Sequence, residues 1–390
     1  MRMMTRRNQH LMKPMGMIIF MLLPLMGIVY VSWHVWTLLP IAAGWKWAII
    51  GTGMLCFLLL FYNFGGGLNK LPLPLARISY AVGTSSIFVL LYLTMIFLLL
   101  DLGRLVHLVP KTWLHANGVT AIAIAGLLIT VFLCGNLHYY NKVRVPIVIN
   151  TTKSLPHEYR IVMLSDLHLG YHNTRSDLAH WVDLVNAEHP DLILVAGDVI
   201  DNSVRPLIEE DMATEFHRLT APVYACLGNH EYYSGSPQAQ HFYRDAGIHL
   251  LIDSAAVIDS TLVIIGRDDA TNRRRKSIDQ LIADVPLSLG DGQREAYTIL
   301  LDHQPHHLEQ AEQAGIDFQL SGHTHRGQVW PISWITDALY ECSWSTHQRG
   351  QTQYYVSSGI GLWGGKFRIG TQSEYVVATL HPNPTFNTQQ

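Results

Sequence analysis

Charge is scarce in this sequence: of 390 residues only 15% are Asp, Glu, Lys or Arg, and the net charge is −3. A balance so near zero gives no field along which a nucleic-acid backbone would bind. Cysteine is nearly absent. Of the four, Cys56 and Cys134 lie in apolar stretches, and Cys226 and Cys342 stand far apart without CxxC spacing. That argues against a disulfide-stapled fold and against a zinc ribbon. Nor is there a P-loop, because no GKS/T follows the run Gly65–Gly67, which reads as a flexible turn.

Apolar residues, at 49%, are unevenly spread. The chain is lipid-like to about residue 140 and reads as soluble protein beyond it. Four apolar stretches, at about 15–39, 45–63, 78–100 and 116–135, each approach the ~20 residues that cross a bilayer as a helix. The first has a basic start (Arg2, Arg6, Arg7) but is long for a signal peptide, and three more follow. Spans three and four carry no ionisable group, while His34 and Lys46 lie near the ends of spans one and two. An anchor is therefore favoured over a transporter, because intramembrane charges mark transport paths. Nine Lys or Arg flank one side of the four spans and three (Lys46, Arg104, Lys111) the other. This bias puts both ends, and the soluble half, in the cytoplasm of a multi-pass inner-membrane protein.

Domain organisation follows: an anchor at 1–140, a linker at 141–157, a soluble domain at 158–382 and a tail at 383–390. In the soluble half, short β-rich runs at 160–165, 191–196, 222–227, 261–266, 296–301, 317–321, 353–358 and 374–380 alternate with amphipathic stretches. Helices are expected at 176–188, 206–219, 237–245, 277–283 and 306–314. Alternation of this kind predicts an α/β fold. Directly after five of the strands come Asp166–Leu167–His168, Gly197–Asp198, Gly228–Asn229–His230–Glu231, His303, and Gly322–His323–Thr324–His325. Sites in α/β sheets gather at the carboxyl ends of strands. Gly197, Gly228 and Gly322 let backbone pass close to whatever sits there.

Together these runs offer enough carboxylate, imidazole and amide groups to hold two adjacent metal ions. Two ions about 3.5–4 Å apart activate water and clamp the oxygens of an in-line displacement, which is what phosphoester hydrolysis needs. Mixed nitrogen and oxygen donors suit Mn, Fe or Zn better than Ca or Mg. An Asp between two strand-end loops suits a bridge, and a histidine that is not a ligand suits a general acid.

The runs DLHLG (166–170), GDVID (197–201), GNHE (228–231), DHQP (302–305) and GHTHRGQ (322–328) closely resemble the calcineurin-like metallophosphoesterase family, over roughly residues 158–380. The resemblance implies a two-sheet β-sandwich flanked by helices, here preceded by the four-helix transmembrane region. It also implies a set of roles. Asp166, His168, Asp198 and His325 would hold the first metal. Asp198 would bridge, and Asn229, His303 and His323 would complete the second site. His230 would be the general acid, oriented by Asp201.

Asn202–Ser203 stand where phosphoprotein phosphatases of the superfamily have Arg-Gly, which disfavours a protein phosphatase. The GHTHxGQ ending and the stretch SSGIGLWGGKFRIG are similar instead to a membrane-associated bacterial subgroup, some of whose members hydrolyse lipid-type substrates. Arg326 departs from the Gly common there, and Gly364–Gly365–Lys366 from its Pro-containing segment. The expected activity is thus cleavage of a phosphoester or pyrophosphate bond in a phosphorylated small molecule or lipid, with two divalent ions and a membrane as partners and no nucleic acid. The alternative is a transport or signalling protein with a metallophosphoesterase-like regulatory domain. His172, His180, His189, His217, His241, His249, His306 and His307 read as facing solvent or capping polar neighbours, and the loop Arg273–Lys276 as solvated or, opposite a membrane, as attracting anionic headgroups. Trp330, Trp334, Trp344 and Trp363 read as packing residues that could also border a lipid entrance. Asp302 reads equally as a partner of the site or as an exposed turn residue.

Overall fold

The computed structural model describes residues 5–285 and 296–382, without the side chains of 5–21; the expected tail at 383–390 lies outside the described residues. The chain divides into two compact units, Met1–Cys134 and Gly135–Gln390. In the first are α1 (Thr5–Leu38), α2 (Ala43–Phe64), α3 (Leu73–Leu105) and most of α4 (Gly118–Tyr140). The helices α2, α3 and α4 are long and apolar enough to cross a membrane. The described apolar part of α1, Leu22–Leu38, is shorter than the ~20 residues a span requires. Three of the four expected spans are therefore present at full length among the described residues.

The helix α3 runs past the expected boundary and carries Asp101 in its last turns. Asp101 Oδ2 accepts from the Tyr30 hydroxyl at 2.7 Å and lies 3.0 Å from His34 Nε2. Polar groups on apolar helices satisfy one another in this way because lipid offers them no partner.

The second unit has two six-stranded sheets. The strands are β1 (Lys142–Asn150), β2 (Tyr159–Leu164), β3 (Leu192–Ala196), β4 (Val223–Cys226), β5 (His249–Leu250), β6 (Ser254–Ile258), β7 (Leu262–Gly266), β8 (Tyr297–Leu301), β9 (Phe318–Ser321), β10 (Ser345–Arg349), β11 (Thr352–Val356) and β12 (Ser373–His381). One sheet has the order β1-β12-β2-β3-β4-β5 and the other β10-β11-β9-β8-β7-β6. Strands β2 to β5 are mutually parallel, as are β7, β8, β9 and β11.

Alternation along each strand sets the layers. Ile161, Met163, Leu192 and Leu194 meet Leu262, Ile264, Ile299, Phe318 and Leu320 in a core between the sheets. The opposite faces pack on helices. Val162, Leu164, Ile193 and Val195 lie with residues of α5 (Arg175–Ala187), α6 (Arg205–Glu209), α7 (Ala213–Phe216) and α9 (Ser236–Asp245). Val263, Ile265 and Leu300 lie with residues of α10 (Ile278–Ala283) and α11 (Glu309–Gln313). Strands buried on both faces are why their sequences are nearly continuous apolar runs.

All eight expected strands form. The stretch expected as a linker at 141–157 contains the edge strand β1, where the half-buried Val143, Val145 and Ile147 and the buried Ile149 alternate with exposed residues. Its Pro146 is tolerated because β1 has a neighbour on one side only. The helix expected at 206–219 is broken into α6 and α7, with Asp211 between them at φ 50°. Two short helices escape sequence periodicity altogether: α8 (Asn229–Tyr233) and α12 (Ile332–Leu339).

Candidate metal centre

Strands β2, β3 and β4 of one sheet and β8 and β9 of the other end beside a common site. Asp166 and His168 follow β2, Asp198 follows β3, Asn229 opens α8 after β4, His303 follows β8, and His323 and His325 follow β9. Asp166, His168, Asp198, Asn229, His303 and His325 are buried, and His323 is half-buried. Five of the seven, Asp166, His168, Asp198, His323 and His325, have φ between 45° and 71°. Residues with a Cβ adopt that region at a cost, roughly 1–3 kcal/mol each, and such strain clusters where function requires it. Close approach is built in as well. A Cβ on Gly228 would collide with the Asp198 carboxylate, and one on Gly322 with the Asp166 carboxylate.

The donor atoms converge in two overlapping groups. His168 Nε2 and His325 Nε2 are 3.1 Å apart, and lie 3.9 and 3.6 Å from Asp166 Oδ1. On the other side, His303 Nε2 is 3.1 Å from Asp198 Oδ2, and His323 Nδ1 is 2.8 Å from Asn229 Oδ1. Asp198 Oδ2 is also 3.7 Å from His168 Nε2, so this carboxylate faces both groups. Asp166–His168–His325, His168–Asp198–His230 and Asp198–His303–His323 each bring one atom per residue within 4.8 Å of the others. The seven expected ligands are therefore together, with His230 among them.

Protonation is divided across the site: burial raises Asp166 above the usual carboxylate range, and at His303 burial is outweighed by Asp198, which holds the imidazole well above its ordinary range, while Asp198, His323 and His325 already take ligand form. Burial, reinforced by His168, holds His325 well below the ordinary imidazole range. Burial and His303 bring His323 down to about 4. Burial raises the Asp198 carboxyl, but His303 and His230 outweigh it and hold Asp198 well below the usual carboxylate range. Neutral imidazoles and ionised carboxylates are the forms that bind metal. Two buried imidazole nitrogens facing each other at 3.1 Å beside a carboxylate make a poor hydrogen-bonded core but fit a shared cation.

The surroundings fix this geometry. Asp201 Oδ1 lies 3.2 Å from His230 Nδ1 and 3.4 Å from His168 Nδ1, so it steadies two rings where the sequence suggested one. Burial lowers His230, but Asp198 and Asp201 prevail and bring its pKa up to about 9. The His303 ring is aimed by Nδ1, which is 2.7 Å from the Ala196 carbonyl.

Three supports were not assigned from sequence. Glu231 is fully buried, and its carboxylate accepts from the backbone N–H groups of Gly228, Asp198 and Ile200 and from the Tyr243 hydroxyl. Asn173 Nδ2 donates to the carbonyls of Leu167 and His168, while its Oδ1 accepts from Tyr139. Arg368 is 1% exposed and donates to the carbonyls of His325, Ser358, Gly359 and Gly361, binding two loops of the site. The GNHE run and the SSGIGLWGGKFRIG stretch contain Glu231 and Arg368, but only the fold shows what they hold. Asp302 is buried, not an exposed turn residue, and pairs with Arg267 and Arg275 at 3.1 and 2.8 Å.

A family model described as calcineurin-like phosphoesterase matches residues 159–327. An uncharacterized metallophosphoesterase of Aquifex aeolicus is 33% identical over 236 residues, covering 59% of this chain and 88% of that one. This chain belongs to the calcineurin-like metallophosphoesterase family. An uncharacterized metallophosphoesterase of Campylobacter jejuni is 29% identical over 245 residues, covering 62% of this chain and 64% of its own length. A Danio rerio transmembrane protein with a metallophosphoesterase domain is 32% identical over 227 residues, covering 55% of this chain and 51% of that one. The match thus spans between half and two thirds of those two relatives. The residues matched by the family model, 159–327, contain all seven converging side chains.

Proposed function

We propose that this chain is a membrane-anchored phosphohydrolase that cleaves a phosphoester or pyrophosphate bond with two divalent ions. The observation that carries the reading is the convergence of Asp166, His168, Asp198, Asn229, His303, His323 and His325, six of them buried, from five strand ends. Asp166, His168, Asp198 and His325 would hold one ion and Asn229, His303 and His323 the other, with Asp198 shared. Bound there, the ions supply an activated water and screen charge on the phosphoryl oxygens. The donor set favours Mn, Fe or Zn.

The chain's own residues do the rest. His230, partly open to solvent and set by Asp201, carries a proton for the leaving oxygen. The Asp201 carboxylate keeps that ring oriented as its charge changes. Glu231 ties the turn carrying Asp198 to the one carrying Asn229 and His230, so both approach the phosphoryl group as one body.

The anchor reading has four spans, with the first stretch counted among them, and places the metallophosphoesterase domain on the cytoplasmic face of an inner membrane. The Lys and Arg bias supports that sidedness. The apolar helices that anchor the domain support a lipid or lipid-linked phosphoester as the substrate class.

The test is metal removal from the purified full-length chain. Chelator treatment followed by dialysis is expected to abolish hydrolysis of bis-p-nitrophenyl phosphate, and Mn²⁺ to restore it. Undiminished activity in fully stripped protein would refute the reading.

A further inference from the structure

The helix α12 is built the wrong way round for a helix in water. It begins seven residues after His325, the last of the proposed ligands, and it turns Ser333 and Thr336 inward, at 5% and 8% exposure. Its outward residues are Trp334, Ile335 and Leu339, at 64%, 54% and 74%, with Ala338 and with Asp337, whose carboxylate accepts from the Ser343 hydroxyl. Trp330, at 37%, meets Trp334 edge to face with ring centroids 5.3 Å apart, which extends the apolar surface by one turn. A soluble helix turns its apolar stripe toward the core. Here small polar side chains are buried and the large apolar ones are offered to the outside, which marks an interaction surface.

The local bonding says what covers it. The Trp330 N–H donates to the Ile369 carbonyl at 2.7 Å, at the root of α12. One residue earlier, the Arg368 N–H donates to the carbonyl of Gly135, in the last turns of α4, and Asn136 Nδ2 donates to the carbonyl of Lys366. The short segment 366–369 therefore joins the end of α4 to the start of α12. On that end of α4, Leu137 and Tyr140 are exposed at 61% and 50%. A helix apolar enough to cross a membrane ends one bonded segment from a helix with an outward Trp, Ile and Leu face. Trp favours the boundary between water and lipid, and an outward apolar helix face buries into that boundary in proportion to its apolar area.

We infer that α12 lies on the surface of the same bilayer that α4 crosses, with Trp330, Trp334, Ile335 and Leu339 seated among the lipid headgroups. The consequence for the site is direct. His325 precedes α12, and Tyr340, at its far end, stacks on His306 and lies 6.5 Å from His323. A helix held in the headgroup layer presents the metal-ligand loop to phosphoesters at that depth. This second statement rests on the proposed phosphohydrolase activity; the docking itself does not.

The experiment uses the full chain in phosphatidylcholine–phosphatidylglycerol nanodiscs, with Cys56, Cys134, Cys226 and Cys342 replaced by alanine. Single spin labels are placed by Ile335→Cys and Leu339→Cys. A third, Ile208→Cys, reports an exposed position on α6. Collision with oxygen is expected to exceed collision with an aqueous nickel chelate at 335 and 339, and the reverse is expected at 208. Labels at 335 and 339 as open to nickel as that at 208 would overturn the proposal. Labels shielded from both reagents would overturn it too, since a protein surface would then cover the helix.

A second arm reads function. Trp334→Glu with Ile335→Glu is expected to slow hydrolysis of bilayer-embedded p-nitrophenyl hexadecyl phosphate by roughly tenfold, through misplacement alone. Water-soluble bis-p-nitrophenyl phosphate should be turned over as before. An unchanged rate on the embedded substrate would also overturn the proposal. A parent chain idle on both compounds would instead remove the phosphohydrolase reading, leaving the depth measurement to decide the docking.

Discussion

Asp198→Ala is expected to lower turnover of bis-p-nitrophenyl phosphate by about 10³-fold or more, equivalent to about 4 kcal/mol of transition-state stabilisation. The Asp198 side chain faces both donor groups of the site. Its carboxylate lies 3.1 Å from His303 and 3.7 Å from His168, and accepts the His230 N–H at 2.9 Å. Removing it withdraws the one ligand common to both proposed ions and frees the backbone that carries the general acid. The loss should appear in kcat more than in KM, because charge screening matters most in the transition state. Combined with Asn229→Ala, the effect should be far from additive, since both changes dismantle the same pair of sites. Full activity in the double variant would end the dinuclear account.

A comparably large effect, on folding rather than on rate, is expected of Glu231→Ala. The carboxylate is fully buried and receives three backbone N–H groups, from Gly228 at 2.7 Å, Ile200 at 3.0 Å and Asp198 at 3.1 Å. The Tyr243 hydroxyl adds a fourth bond at 3.1 Å. Alanine leaves these donors without an acceptor, at about 1–3 kcal/mol each, so a loss on the order of 4 kcal/mol is expected even after water enters. Against typical domain stabilities of about 5–15 kcal/mol, that approaches unfolding. Denaturant titration of the full chain in detergent should show the midpoint fall, and Glu231→Gln, which keeps one acceptor oxygen, should recover part of it. A midpoint unchanged in the alanine variant would contradict the role given to Glu231.

These two residues mark the boundary of what the sequence reveals. Asp198 was legible because Gly-Asp after an apolar run, repeated in kind at Asp166, Asn229, His303 and His323, has no ordinary structural explanation. All eight expected strands form for a related reason: a strand buried on both faces must be a continuous apolar run. Glu231 was visible in its motif yet silent about its role, because its partners are backbone groups on another strand's loop. Arg368 and Asn173 were silent for the same reason, as both act on carbonyls far away in sequence.

Edge and surface elements were harder to read. The strand β1 is half-buried and interrupted by Pro146, so its alternation is faint within a stretch that resembles a linker. The helix α12 has only eight residues, and its polar side faces inward, the reverse of the pattern by which helices are recognised. Its inverted polarity was the informative feature, and only burial could reveal it. The spans showed the opposite limit: composition located the apolar stretches, but α1 and α3 differ in extent from the expected windows, because helix ends depend on capping and packing.

The central claim is that seven side chains hold a pair of divalent ions, and metal stoichiometry tests it most directly. Elemental analysis of the full-length chain, purified with Mn²⁺ and freed of loose ions, is expected to give two ions per chain, with marked loss in Asp198→Ala. At most one ion per chain in fully active protein would contradict the account.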